Sequence, residues 1–193
     1  MNPTKKNVLY MLKESNAIEA VYDDVSLVDS YAAWEYIMGF DSINVDVIKE
    51  THRILMQDQM IEPRYKGDFR DAPINIGGET KSLPKIVIDS LVRDLCEDIN
   101  NSSLNDDPII RHVQFEAIHP FIDGNGRIGR IILNWHLVKK FDAPLLIYTE
   151  EDKHTYYMLF PSYRHASFKK DMTKIIESFK DLETKSNDRP ADK

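Results

Sequence analysis

Apolar residues recur at steps of three and four along most of this chain, and the recurrence predicts a series of helices. Val8, Leu12, Ser15 and Glu19 share one stripe, flanked by Met11 and Ile18. Asn2-Pro3 is its expected start, with asparagine as the cap and proline at the first position. A second helix is expected from about Ser26 to Met38, stopped by Gly39. Asn44 would cap a third, with Val47, Ile48, Ile54 and Leu55 inward and Pro63 closing it. Pro84 opens a fourth with Ile88, Leu91, Val92, Leu95 and Ile99 inward, and Pro108 a fifth with Ile110, Val113 and Ala117 inward. Ile128, Ile131, Ile132, Trp135 and Val138 mark a sixth. Residues 150–163 follow, and Phe168, Met172, Ile175, Ile176 and Phe179 outline a last amphipathic helix. The predicted fold class is all-α.

Two places break this pattern. From Arg64 to Gly78 the helical period is lost; Ile74 and Ile76 alternate around Asn75, and Gly77-Gly78 turns the chain. This predicts a β-hairpin whose free edge, Ile74 to Ile76, suits docking of an extended peptide; the plainer alternative is a long connecting loop. The second break is Glu19. A carboxylate on an apolar stripe is costly unless a cation meets it, or unless the helix face simply ends in solvent there.

The densest chemistry lies at Ile118-His119-Pro120-Phe121-Ile122-Asp123-Gly124-Asn125-Gly126-Arg127-Ile128-Gly129-Arg130. Gly124-Asn125-Gly126 can adopt backbone conformations closed to most residues and point N–H groups inward as an anion nest. Helical periodicity resumes at once, so the nest opens onto a helix N-terminus that favours phosphate. Arg127 and Arg130 add planar, permanently charged donors. Asp123 is a hard oxygen ligand suited to Mg²⁺ riding on phosphates, and His119 is a ready base near neutral pH. The combination points to metal-assisted transfer of a phosphate-containing group.

His119 to Arg130 resembles the signature of the Fic family, H-P-F-x-D/E-G-N-G-R-x-x-R, with every specified position matched. The resemblance implies a Fic-type helical bundle with a small β-hairpin flap beside the active site, as a single domain over residues 1–183. It implies ATP as substrate, Mg²⁺ as cofactor, and transfer of AMP to a Ser, Thr or Tyr hydroxyl of a target protein, the chain itself included. By position it makes His119 the general base and Asp123 the Mg²⁺ ligand. Gly124, Asn125, Gly126 and Arg127 would contact phosphates, and Arg130 the γ-phosphate. The related Doc branch carries lysine where Gly126 stands, which favours the AMP-transferring branch. Tyr156 and Tyr157 resemble a tyrosine pair near the nucleotide pocket, alongside their plain reading as core aromatics.

Two further segments carry the resemblance. Ser15-Asn16-Ala17-Ile18-Glu19-Ala20 is similar to an inhibitory motif, S/T-x-x-x-E-G/N, that precedes the core in one class of the family. There the glutamate pairs with the second signature arginine, here Arg130, and obstructs the γ-phosphate. This implies an inhibitory helix over residues 1–21, acting through Ser15 and Glu19, with Ala20 as a departure. Gly67 to Arg70 followed by Ile74 to Gly78 is similar to the flap, region 64–82, that positions the target hydroxyl, with Ile74, Asn75 and Ile76 as the docking edge. The same site leaves three alternatives open: hydrolytic removal of AMP with Glu19 orienting a water, transfer of a different nucleotide, and a non-catalytic nucleotide-dependent module.

Composition narrows the setting. A chain of 193 residues, 42% hydrophobic, has enough apolar surface for a core. A net charge of −7 argues against a nucleic-acid partner. Arg164, His165, Lys169, Lys170 and Lys174 fit a solvated helix face. Cys96, the only cysteine, precludes an internal disulfide and is expected as a small core residue. His112 is expected to pack between helices rather than bind metal, since no thiolate or acid completes a set. No apolar run approaches the roughly 18 residues of a span, and the N-terminus lacks a signal-peptide core, so a cytoplasmic, membrane-free protein is expected. Residues 184–193 are expected to be a disordered tail, and pairing of two copies as a homodimer is compatible with all of this.

Overall fold

The structure is a computed structural model that describes residues 3–76 and 79–165. The described residues form seven helices and one two-stranded sheet: α1 (Lys5–Ile18), α2 (Asp24–Met38), α3 (Val45–Leu55), β1 (Ile74–Ile76), β2 (Glu79–Lys81), α4 (Lys85–Asn100), α5 (Pro108–Ile118), α6 (Asn125–Phe141) and α7 (Lys153–His165). α6 is the axis. Ile128, Ile131, Ile132, Leu133, Trp135 and Val138 are buried, and so are Arg127, Arg130, Asn134 and His136. A helix buried all round lies inside a bundle, and α1, α2, α3 and α5 pack against it. One apolar cluster runs from Val8 and Leu12 through Trp34, Ile48, Leu55 and Val92 to Trp135; a smaller one joins Ile18, Val113, Leu133, Tyr148 and Tyr156.

The helix caps explain where the chain turns. Thr4, not Asn2, caps α1, its hydroxyl accepting the Asn7 N–H at 3.3 Å; Asn2 lies outside the described residues. Asp23 caps α2, so that helix starts two residues before the expected Ser26, and Asn44 caps α3 as expected. α3 ends at Leu55, well before Pro63, which instead starts a single 3₁₀ turn at Pro63–Tyr65. Leu91 is 38% exposed, and Cys96 takes the expected inner place on α4; burial pushes its thiol up to about 12. The inner face of α5 is rotated by one position: Ile109, His112, Val113 and Phe115 are buried, while Ile110 and Ala117 are half-exposed.

Three asparagines tie loops to this frame by the same device, each accepting the N–H and donating to the C=O of one other residue. Asn134 holds Leu146 at 2.7 and 3.1 Å, Asn100 holds Ile43 at 2.9 and 2.7 Å, and Asn125 holds Phe121 at 2.9 Å twice. Each clamp satisfies two backbone groups that burial would otherwise leave costly.

The hairpin is present. β1 and β2 run antiparallel with Ile74 opposite Lys81, Asn75 opposite Thr80 and Ile76 opposite Glu79. The Gly77-Gly78 turn, the helix expected around Phe168 to Phe179, the basic run beyond His165 and the tail 184–193 lie outside the described residues. No helix of the described residues is long and apolar enough to cross a membrane.

Candidate active site

The loop between α5 and α6 is built on two left-handed residues. His119 ends α5 at φ 51°, ψ 64°, and Gly124 caps α6 at φ 75°, ψ 4°. The first suits few residues without a glycine's freedom and needs outside support. Arg70 supplies it, its Nε donating to the His119 carbonyl at 2.8 Å. In this conformation Gly124 also has little room, since a β-carbon there would stand 2.7 Å from Met56 Sδ and that side chain would have to shift. The Asn125 side chain, locked onto Phe121, closes the loop from within. His52 closes it from outside: Gly67 N–H donates to Nδ1 at 3.0 Å, so the proton sits on Nε2 and is donated to the Asp123 carbonyl at 3.0 Å. The His52 ring stacks on Phe121 with centroids 3.7 Å apart, and burial pushes its pKa down to about 4, keeping it neutral.

The loop therefore presents the N-terminus of α6, whose first N–H groups have no intrahelical acceptor. Asp123 Oδ1 accepts the Gly124 N–H at 2.6 Å. Arg127 is buried with Nη2 on Met56 Sδ at 3.3 Å, while Nε and Nη1 have no hydrogen-bond partner among the described residues. A buried guanidinium with two unpaired donors beside a helix N-terminus could receive an anion.

Arg130 is fully engaged. Nε donates to Ser15 Oγ at 2.9 Å, and Nη2 donates to the Ser15 carbonyl and to Glu19 Oε1, both at 2.8 Å. Burial works against its charge, yet Tyr156 and Glu19 beside it outweigh burial and raise its pKa. Burial likewise opposes ionised Glu19, and Arg130 outweighs it, leaving the carboxyl below its usual value of 4.5. Tyr157 adds a second hold, its hydroxyl donating to Glu19 Oε2 at 2.8 Å. Glu19 also lies over Gly126, where a β-carbon would stand 2.2 Å from Glu19 Oε1. Thus the cation that Glu19 required is Arg130, 111 residues away in sequence.

His119 is partly open, and burial pushes its imidazole down to about 4, against the pull of the Glu116 main-chain carbonyl. Neutral imidazole is the form that can take a proton. Glu116 stands with Oε2 3.9 Å from His119 Nδ1, and burial pushes that carboxyl up to about 8. Tyr156 is buried, its hydroxyl 2.7 Å from His112 Nε2 and 3.4 Å from Arg130 Nη1, so His112 is a packing histidine. No group of three or more His, Cys, Asp or Glu among the described residues could hold a metal by itself.

The structure thus gathers His119, Asp123, Gly124, Asn125, Gly126, Arg127, Arg130, Ser15, Glu19, Tyr156 and Tyr157 around one helix end. Ile74 and Asn75 lie on β1, linked to that loop through Arg70. His52, Met56 and Glu116 are residues that the sequence pattern did not single out, and Arg70 entered only as part of the Gly67-to-Arg70 segment similar to the flap. His52 had one signal, a histidine on the apolar face of α3 beside Ile48 and Leu55; Arg70 had none beyond its place in a G-x-x-R motif.

Residues 42–137 match the family model described as Fic/DOC family. By this domain the chain belongs to the Fic/DOC family. The chain is 32% identical over 115 residues to protein adenylyltransferase fic-1 of Caenorhabditis elegans, a match that covers 57% of this chain and 22% of that relative. It is 39% identical over 77 residues to a probable protein adenylyltransferase of Aquifex aeolicus, covering 38% of this chain and 24% of that one. The chain therefore spans about a quarter of the length of these curated relatives. Among solved structures, a Fic-domain-containing protein of Bacteroides thetaiotaomicron superposes with a TM-score of 0.71 at 19% identity, over 97% of this chain and 90% of that one. Fic-1 of C. elegans, residues 134–508, gives a TM-score of 0.71 at 19% identity, over 95% of this chain and 62% of that one. These likenesses establish the fold.

Proposed function

We propose that this protein transfers AMP from ATP to a hydroxyl of a target protein and that Glu19 holds the site in a resting state. The observation that carries the reading is the juxtaposition of neutral His119 with an incomplete anion site, the α6 N-terminus and the idle donors of Arg127. The adenylyltransferase names of the relatives support the donor and the protein acceptor.

ATP would lay its phosphates on the backbone N–H groups of Gly124, Asn125 and Gly126 and on Arg127. The Asn125 side chain is committed to Phe121, so its part is main-chain. A Ser, Thr or Tyr hydroxyl, presented along Ile74, Asn75 and Ile76, attacks the α-phosphorus. The O–Pα bond forms, the bond from Pα to the β-phosphate oxygen breaks, and pyrophosphate leaves toward Arg127 and Arg130. His119 takes the hydroxyl proton. Asp123 offers one carboxylate with one oxygen already on Gly124, which fits an ion that draws its other ligands from phosphates and water rather than a protein-only cage. Mg²⁺ held by Asp123 would supply charge neutralisation along the phosphates. Positioning and charge stabilisation do most of the work in such transfers.

In the resting state Glu19 occupies the space over Gly126 and takes Arg130 out of use. The same placement supports a second reading, in which Glu19 orients a water for hydrolytic removal of AMP from a modified protein. Mass spectrometry of lysate proteins after incubation with Glu19→Gly protein and ATP tests the choice. Transfer predicts new AMP-bearing peptides with Glu19→Gly above the parent; hydrolysis predicts none, together with loss of AMP release from a modified protein.

A further inference from the structure

The hairpin that would present the acceptor and the helix end that carries His119 belong to different parts of the chain, and one buried side chain joins them. Arg70 is 0% exposed. Its main-chain N–H donates to the Pro120 carbonyl at 2.9 Å. Its Nε donates to the His119 carbonyl at 2.8 Å, and its Nη1 to the carbonyls of Ala72 at 3.2 Å and Lys81 at 3.5 Å. Ala72 precedes β1 and Lys81 ends β2, so the entry and exit of the hairpin and the carbonyl of His119 converge on one planar group. The Lys81 ammonium adds a second tie, donating to the Ala117 carbonyl near the end of α5.

The choice of residue is informative. Elsewhere this fold fixes loops with neutral asparagine clamps on Phe121, Leu146 and Ile43. Here it buries a cation whose named acceptors are all carbonyls, and burial lowers the guanidinium pKa accordingly. Burying such a charge is unfavourable without strong compensation. What a guanidinium offers in return is a rigid fork, which fixes several acceptors at set angles. That rigidity is useful where the relative placement of two elements matters to about 1 Å. An isolated two-stranded hairpin is marginal and cannot fix its own placement.

We propose that Arg70 is a positioning residue that sets the docking edge of the hairpin relative to the base His119. The proposal rests on the reading of His119 as base and β1 as the acceptor's edge. A misplacement of 1 Å in such a reaction costs on the order of 100-fold in rate. The requirement is selective. A polypeptide hydroxyl arrives along the hairpin and depends on the tie, whereas a water attacking the same α-phosphorus does not.

The test uses Arg70→Lys in the Glu19→Gly background, with Lys81→Met as a second variant that leaves the buried fork intact. Three quantities are measured: self-labelling with AMP, AMP released to water, and amide exchange at 74–76 and 79–81. For Arg70→Lys, labelling should fall at least about tenfold further than AMP release, and exchange at the hairpin should quicken while exchange in α6 does not. Lys81→Met should move the same readouts the same way, less far. Equal falls in labelling and release, or unchanged hairpin exchange, overturn the proposal. If the Glu19→Gly parent transfers no AMP at all, the functional reading fails by itself. Hairpin exchange then decides the coupling: faster exchange supports it and unchanged exchange overturns it.

Discussion

Glu19 is gripped from two sides, by Arg130 on one carboxylate oxygen and by Tyr157 on the other. A hydrogen bond to a charged group contributes about 1.5–3 kcal/mol, less where solvent reaches it. Tyr157→Phe keeps the ring and removes one grip, so self-labelling with AMP should rise several-fold, up to about tenfold. Unchanged labelling would contradict a part for Tyr157 in the proposed restraint. Because Arg130 holds the Glu19 pKa below 4.5, the pair is complete above that pH and fades only as pH falls beneath it. Ala20 adds a residue-scale oddity. It follows Glu19 at φ 59°, a left-handed conformation that costs a residue with a β-carbon about 1–2 kcal/mol. The similar motif places glycine or asparagine there, and both tolerate that conformation. Ala20→Gly should therefore raise stability by about 1 kcal/mol, read as a higher midpoint in chemical denaturation.

At the scale of elements, α6 is what gathers the candidate site, because its start is the proposed phosphate nest and its first turns carry Arg127 and Arg130. That start depends on Asn125 more than on any side chain facing outward. Asn125→Ala would leave the buried N–H and C=O of Phe121 unpaired, at a cost of about 2 kcal/mol or more. The expected outcome is a lower thermal midpoint together with weaker ATP binding by calorimetry, whereas a change confined to binding would contradict the structural role. Most elements were legible in the sequence because helix patterning and caps are local signals. The turn residues Gly39, Asn44, Pro84 and Pro108 stand at helix ends as expected. The misjudged faces at Leu91, Ile110 and Ala117 are errors of one position, which a 3.6-residue period does not resolve in helices so short. The pairings of Arg70 and His52 were illegible for a different reason. Their partners His119 and Asp123 lie 49 and 71 residues away, and no local pattern encodes such a pairing.

Across the whole molecule, burial of titratable groups sets a pH response. His52, His119 and His136 are pushed down to about 4 and His112 to about 3, each by burial first. The unfolded chain binds protons at these groups near pH 6.5 while the folded chain refuses them. Their contribution is therefore complete above pH 6.5 and is lost as pH falls toward 4. Glu116, pushed up to about 8, acts in the opposite sense: it favours the folded state below pH 4.5 and loses that advantage as pH rises to 8. Four groups outweigh one on the acid side, so thermal stability should peak between about pH 6 and 7. Glu116→Gln should flatten the decline between about pH 6.5 and 8 and steepen the rise below it; a decline unchanged by the substitution would show that Glu116 is ionised in the folded state. The cluster at the α6 start was the part of the molecule most open to sequence reasoning, since its chemistry is packed into thirteen consecutive residues. The Glu19–Arg130 pair needed two residues brought together from distant parts of the sequence, which the packing of α1 on α6 accomplishes. The most direct test of AMP transfer by His119 under restraint by Glu19 is incorporation of label from α-³²P-ATP into protein. It compares the parent, Glu19→Gly, and Glu19→Gly combined with His119→Ala. Incorporation should be low in the parent, high in Glu19→Gly and absent in the double variant. No rise on removing Glu19, or label that persists without His119, would contradict it.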